Sequence, residues 1–127
     1  MTVQVILLKE GRVSLTTYTD PLDMKEITEA SEKANTDFLE KATKPVHSIM
    51  DFSGVHRLPA NILSRSATMA RGLHPMVGVM VMVTPNTFIN LMANGLVRAL
   101  PYRKILICST LDEAWTLIDK ILADENT

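Results

Sequence analysis

The sequence predicts an α/β domain: a mixed, mostly parallel five-stranded sheet with an N-terminal antiparallel hairpin and four helices, all in one domain over residues 1–127. Three observations predict it. Strand-like and helix-like segments follow in the order ββαβαβαβα, and strict alternation after a hairpin favours parallel strands joined by right-handed crossovers. Two runs, 76–83 (MVGVMVMV) and 104–108 (KILIC), are apolar on both faces, as strands covered on both sides are. Helical stretches open on cap-plus-proline or capping-box signals, at Asp20-Pro21, Thr84-Pro85 and Thr110 with Glu113.

Residues 3–8 are apolar and rich in β-branched side chains. Residues 13–18 alternate, with Val13, Leu15 and Thr17 against Ser14, Thr16 and Tyr18. Gly11 between them marks the turn of a hairpin. Asp20 and Pro21 suit a helix cap and first position, and Ile27, Ala30, Ala34, Phe38 and Leu39 follow at helical spacing. Thr43-Lys44-Pro45 is the expected end of that helix. Residues 46–52 form the next strand, and a helix is expected from Leu58 or Pro59 to Arg71, stopped by Gly72. After the 76–83 strand, Thr84-Pro85 opens a helix with Phe88, Leu91, Met92, Leu96 and Leu100 expected on its buried side. The 104–108 strand leads to Thr110 and a last helix, with Trp115, Ile118, Ile121 and Leu122 facing the core.

Composition narrows the function classes. Apolar residues make up 46% and charged residues 21%, an ordinary globular balance. A net charge of -1 and an aromatic content of 5% argue against nucleic acid as a partner. One cysteine, Cys108, excludes an intrachain disulfide and a multi-cysteine zinc site. No basic leader and no apolar run of roughly 18 residues is present, so the expected location is the cytoplasm. Charge is uneven along the chain. The first and last helical stretches are acidic. Between them lie Lys44, Arg57, Arg65, Arg71, Arg98, Arg103 and Lys104, opposed only by Asp51. Two faces with different partners, or solvated helix faces of chance sign, both fit.

The element order, together with Ile49-Met50-Asp51-Phe52-Ser53-Gly54-Val55 and Leu58, resembles the STAS domain of anti-sigma-factor antagonists, in particular the SpoIIAA-like branch related to Sec14 (CRAL-TRIO) proteins. As topology the resemblance covers nearly the whole chain; as sequence it is specific at residues 49–58. In signalling members a strand ends in D-[FL]-S-x-V, and a D-S-[ST]-G-[LI] turn then starts a helix. The serine after that second aspartate is the phosphoacceptor that switches binding to an anti-sigma kinase. Here the stretch reads Pro59-Ala60-Asn61-Ile62-Leu63. Ala60 stands at the phosphoserine position without a hydroxyl, and Pro59 replaces the acid. Ser53, Ser64 and Ser66 lie near but do not match the switch position. The resemblance therefore implies the fold and a protein-binding role without the serine switch.

There is no G-x-S-x-G elbow and no glycine-rich phosphate loop, and Cys108 lies inside an apolar strand. His47, His56 and His74 lack metal-ligand spacing, so no metal and no cofactor is expected. His47 fits a buried, hydrogen-bonded histidine. Asp51 ends a parallel strand as a receiver aspartate does, but the receiver's paired acids and late lysine are missing.

Two functions fit. The first is a non-enzymatic regulatory module that binds a protein partner, including a second copy of itself, through Ser53, His56, Arg57, Asn61 and Arg65 at the carboxyl end of a strand, where partners and ligands favour α/β sheets. The second is a carrier or sensor of a small apolar or lipid-like ligand, at a membrane surface or in solution. Its expected pocket residues are Met80, Met82, Phe88 and Met92, with the 85–100 helix as gate.

Overall fold

A computed structural model of the chain describes residues 2–71, 74–99 and 104–125. Strands β1 (Val3–Leu8), β2 (Val13–Thr19), β3 (Val46–Gly54), β4 (Val77–Val83) and β5 (Ile105–Cys108) form one sheet in the order β1-β2-β3-β4-β5. β1 and β2 are antiparallel, and the other neighbouring pairs are parallel. Helix α1 (Met24–Ala34) joins β2 to β3, α2 (Ile62–Arg71) joins β3 to β4, and α3 (Thr87–Ala99) joins β4 to β5. Helix α4 (Leu111–Glu125) follows β5. The hairpin turns through Lys9, Glu10 and Gly11, all at positive φ (52°, 57° and 87°), a conformation that only the glycine adopts without a Cβ penalty.

Sequential strand order fixes the layering. Right-handed crossovers that always step the same way put their helices on one face. On that face Met24 and Ile27 of α1 and Ile89 of α3 cluster with Val3, Tyr18, Phe52 and Val55, and Ile62 and Met69 of α2 pack against them. Tyr18 and Phe52 stack with ring centroids 4.3 Å apart, and burial pushes the Tyr18 phenol up to about 12, the Thr16 hydroxyl pulling the other way. The opposite face is covered by α4, whose Ala114 and Ile118 pack on Val13, Ile49, Val81, Val83 and Cys108. Each large aliphatic side chain buried there contributes about 1.5–3 kcal/mol.

The starts of α1, α2 and α3 differ from the expected ones. Asp20 does not cap α1, because its carboxylate is engaged by His56; Asp23 caps instead, accepting the Lys25 N–H at 2.9 Å. The helix leaves α geometry at Asn35 and continues as a π turn to Leu39, short of the expected end at 43–45. Residues 60 and 61 form a turn before α2, which begins at Ile62 rather than at Leu58 or Pro59. Thr84 is buried, its N–H bonded to the Cys108 carbonyl. The α3 cap is therefore Asn86, whose Oδ1 accepts from the N–H groups of Phe88 (3.0 Å) and Ile89 (3.2 Å). At α4 the expected cap is present, Thr110 Oγ1 accepting the Glu113 N–H at 3.1 Å. The expected stop at Gly72 and the inward placement of Leu100 lie outside the described residues, as does the side chain of Leu96.

The face assigned to α3 is corrected. Ile89 and Ala93 are buried and Met92 is half-buried, whereas Phe88 is 68% and Leu91 67% exposed. Both sets keep helical spacing, so periodicity alone cannot choose between them.

Candidate functional site

Asp51, Phe52, Ser53 and Gly54 end β3, and the chain then turns over the carboxyl end of the sheet. Asp51 Oδ1 accepts the Ser53 N–H at 2.9 Å, and the buried Val55 anchors the loop. Beyond Val55, His56 folds back onto the β2–α1 loop: Asp20 Oδ2 accepts from the His56 N–H (2.9 Å) and pairs with His56 Nδ1 (3.0 Å). These bonds, the backbone one foremost, hold the Asp20 carboxyl below its ordinary range. Asp20, Pro21 and Leu22 thus wall a shallow cleft with His56, Arg57, Leu58 and Pro59. The role of Asp20 was not legible in the sequence, since an aspartate before proline carries an ordinary cap signal.

The five expected partner-binding residues, Ser53, His56, Arg57, Asn61 and Arg65, are all exposed. Ser53, His56, Arg57 and Asn61 follow one another along the rim, and Arg65 lies one turn into α2. Helix α3, the next crossover on the same face, adds exposed Phe88, Leu91 and Arg98, and Asn94 Nδ2 bonds Asn90 Oδ1 at 2.7 Å between them. The ion pairs of the described residues leave out Arg57, Arg65 and Arg98.

A cavity of about 220 Å³ lies between the sheet and the α1–α2 side of the same layer. Its floor follows the strand register, with Ser14, Ser48 and Met80 side by side across β2, β3 and β4, and Thr16, Met50 and Met82 in the next row. Its roof comes from Ala30, Ser31 and Ala34 of α1, Asn35 and Phe38 of the π turn, and Ile62 and Met69 of α2. Of the expected pocket residues, Met80 and Met82 line this cavity; Phe88 and Met92 do not, because the helix over the cavity is α1 rather than α3. The overlooked signal was the pair of small polar residues, Ser14 and Ser48, at inward positions of central strands.

A polar cluster occupies the opposite end of the sheet. His47 is buried, accepts the Val79 N–H at Nδ1 (2.9 Å), and so carries its proton on Nε2, 2.8 Å from Glu125 Oε1. The Arg12 guanidinium bonds the other Glu125 oxygen, and its Nε donates to the Pro45 carbonyl. Partial burial pushes the Glu125 carboxyl upward, but the Arg12 and His47 bonds outweigh it and hold the group below the usual glutamate range. These groups pin the end of α4 beneath β3. Burial, and then the Glu113 carboxylate, push the Cys108 thiol up, opposite to the shift that activates a cysteine nucleophile. Among the described residues no group of three His, Cys, Asp or Glu could hold a metal ion, and no helix is long and apolar enough to cross a membrane.

The sheet order and helix layering define an α/β fold with a mixed five-stranded sheet. Among solved structures the chain is similar to the NMR structure of the protein TM1081, with a TM-score of 0.62 and 17% identity over 91% of this chain and 86% of that one, a likeness of fold. No family model and no curated protein matches the sequence.

Proposed function

We propose that the chain is a STAS-like regulatory module that binds a protein partner and performs no chemistry of its own. The observation that carries this reading is the surface of α2 and α3. Phe88 and Leu91 are exposed there, as are Arg57, Arg65 and Arg98, and all five belong to a stretch, residues 52–111, that contains no Asp or Glu. Exposed large apolar side chains on a face that also exposes arginines complement an acidic amphipathic helix: the apolar groups supply affinity, and the charges supply orientation and encounter rate. Ala60 at the position that matches the family's phosphoserine means that the contact is governed by partner concentration rather than by phosphorylation at that site.

A photocrosslinker placed by Leu91→p-benzoylphenylalanine tests this in cells. The expected product is a crosslink to one protein through an acidic helical segment, reduced about tenfold when Arg57→Glu and Arg65→Glu are added. Crosslinking to lipid, to a second copy of the chain, or with a yield indifferent to the charge reversals would refute it.

A further inference from the structure

We propose that the cavity under α1 is a binding site for a compact, neutral, mainly apolar molecule carrying a single hydroxyl or N–H group. This site is separate from the protein-binding surface of α2 and α3 and does not depend on it.

Three observations lead there. First, the floor belongs to the central strands of the sheet, yet the inward side chains of Met50, Met80 and Met82 are only half-buried, so the layer above them does not close. The opening comes from small side chains in the roof, Ala30, Ser31 and Ala34, and from the π turn that follows them, an irregularity that recurs at functional sites. Second, Ser14 and Ser48 are register partners on adjacent strands and place two hydroxyls together on the floor. Neither side chain hydrogen-bonds to another described group. Both residues are half-buried, so their hydroxyls stay open to the cavity and can bond the polar end of a guest. Third, among the described residues the lining contains no Asp, Glu, Lys, Arg or His. An ionised carboxylate or amine would lose its hydration without gaining a counter-charge, so charged ligands are rejected and neutral ones admitted.

Volume sets the size. An apolar cavity of about 150 Å³ takes up benzene, and this one is larger at about 220 Å³. It suits a substituted single ring or a short chain of roughly ten non-hydrogen atoms. The thioethers of Met50, Met80 and Met82 can adjust to either shape, and the hydroxyls of Ser14 and Ser48 orient the polar end.

The test uses the full chain labelled with 13C at its methionine methyl groups, titrated with p-cresol, toluene, 1-octanol and octanoate. Expected are saturable shifts at Met50, Met80 and Met82 with p-cresol and 1-octanol, binding of octanoate at least tenfold weaker than 1-octanol, and a preference for p-cresol over toluene that falls in Ser48→Ala. Ala34→Leu should fill the cavity and abolish the shifts, with Ala30→Leu as the second filling variant where the first does not fold. The proposal is overturned by the absence of saturable shifts with the neutral probes, by equal affinity for octanoate and 1-octanol, or by undiminished binding in a folded filling variant.

Discussion

Replacing Gly78 with alanine should damage the fold out of proportion to the single methyl added. Gly78 lies opposite His47 where the β3–β4 register slips between Val46 and Ser48. A Cβ at Gly78 would sit 2.4 Å from His47 Nδ1 and 2.7 Å from Cε1, well inside contact distance. The ring cannot retreat as a flexible chain end would. It is 3% exposed, held by the Val79 N–H on one nitrogen and by Glu125 on the other. Overpacking a close-packed site costs about 1–3 kcal/mol. A ring pushed aside would also leave the Val79 N–H unpaired, at a further cost of about 1–3 kcal/mol. The expected loss for Gly78→Ala is therefore at least about 2 kcal/mol. At roughly 4 °C per kcal/mol for a domain of this size, that is near 8 °C in Tm. Urea unfolding of Gly78→Ala, His47→Ala and the double variant measures it. Removing the ring frees the space that the methyl needs, so the double variant should be less destabilised than the sum of the two singles by about 2 kcal/mol. A Gly78→Ala protein within about 0.5 kcal/mol of the parent, or an additive cycle, would show that the ring is not locked as described.

Two further predictions follow from the same geometry. Because the folded Glu125 carboxyl is held below its unfolded value, its stabilisation is present above the unfolded pKa and is lost as pH falls through the folded one. Glu125→Gln should lower stability near neutral pH by about 1 kcal/mol or less, as the group is partly solvated, and should flatten the acid limb of a stability–pH curve; a parallel, merely displaced curve would refute the linkage. On α3, Phe88→Ala and Leu91→Ala should each leave stability within about 0.5 kcal/mol of the parent, while Ile89→Ala should cost about 2–5 kcal/mol. The reverse ranking in denaturant melts would mean that the helix is turned the other way.

The sheet was legible because its signals are redundant. Doubly apolar runs at β4 and β5, alternation in β2 and the capping box at Thr110 point the same way, whereas the order β1-β2-β3-β4-β5 comes from the structure. What could not be read depended on partners far along the chain. Asp20 looks like a cap until His56, thirty-six residues on, competes for its carboxylate. Thr84 looks like one until the Cys108 carbonyl takes its N–H and it is buried. On α3 the Phe88/Leu91 stripe and the Ile89/Ala93 stripe obey the same spacing, and only the sheet beneath decides between them. Ser53, His56, Arg57, Asn61 and Arg65 are exposed. The cavity was half seen. Methionine content pointed to Met80 and Met82, but a void arises from what neighbouring elements fail to fill, and that depends on α1 lying over Ser14 and Ser48.

The helix layering also bears on how the polypeptide is made. One face of the sheet receives its cover step by step, as each crossover helix emerges between strands. The other waits for α4 alone, which follows all five strands and whose far end joins Glu125 to His47 and Arg12, 78 and 113 residues back. On a ribosome, where synthesis runs from the N-terminus, Val13, Ile49, Val81 and Val83 would all be outside the exit tunnel before the helix that shields them. During that interval the nascent chain displays a greasy, half-finished sheet. Its exposure to chaperones and to neighbouring nascent chains is set by the time taken to translate the fifteen residues of α4 and carry them clear of the tunnel.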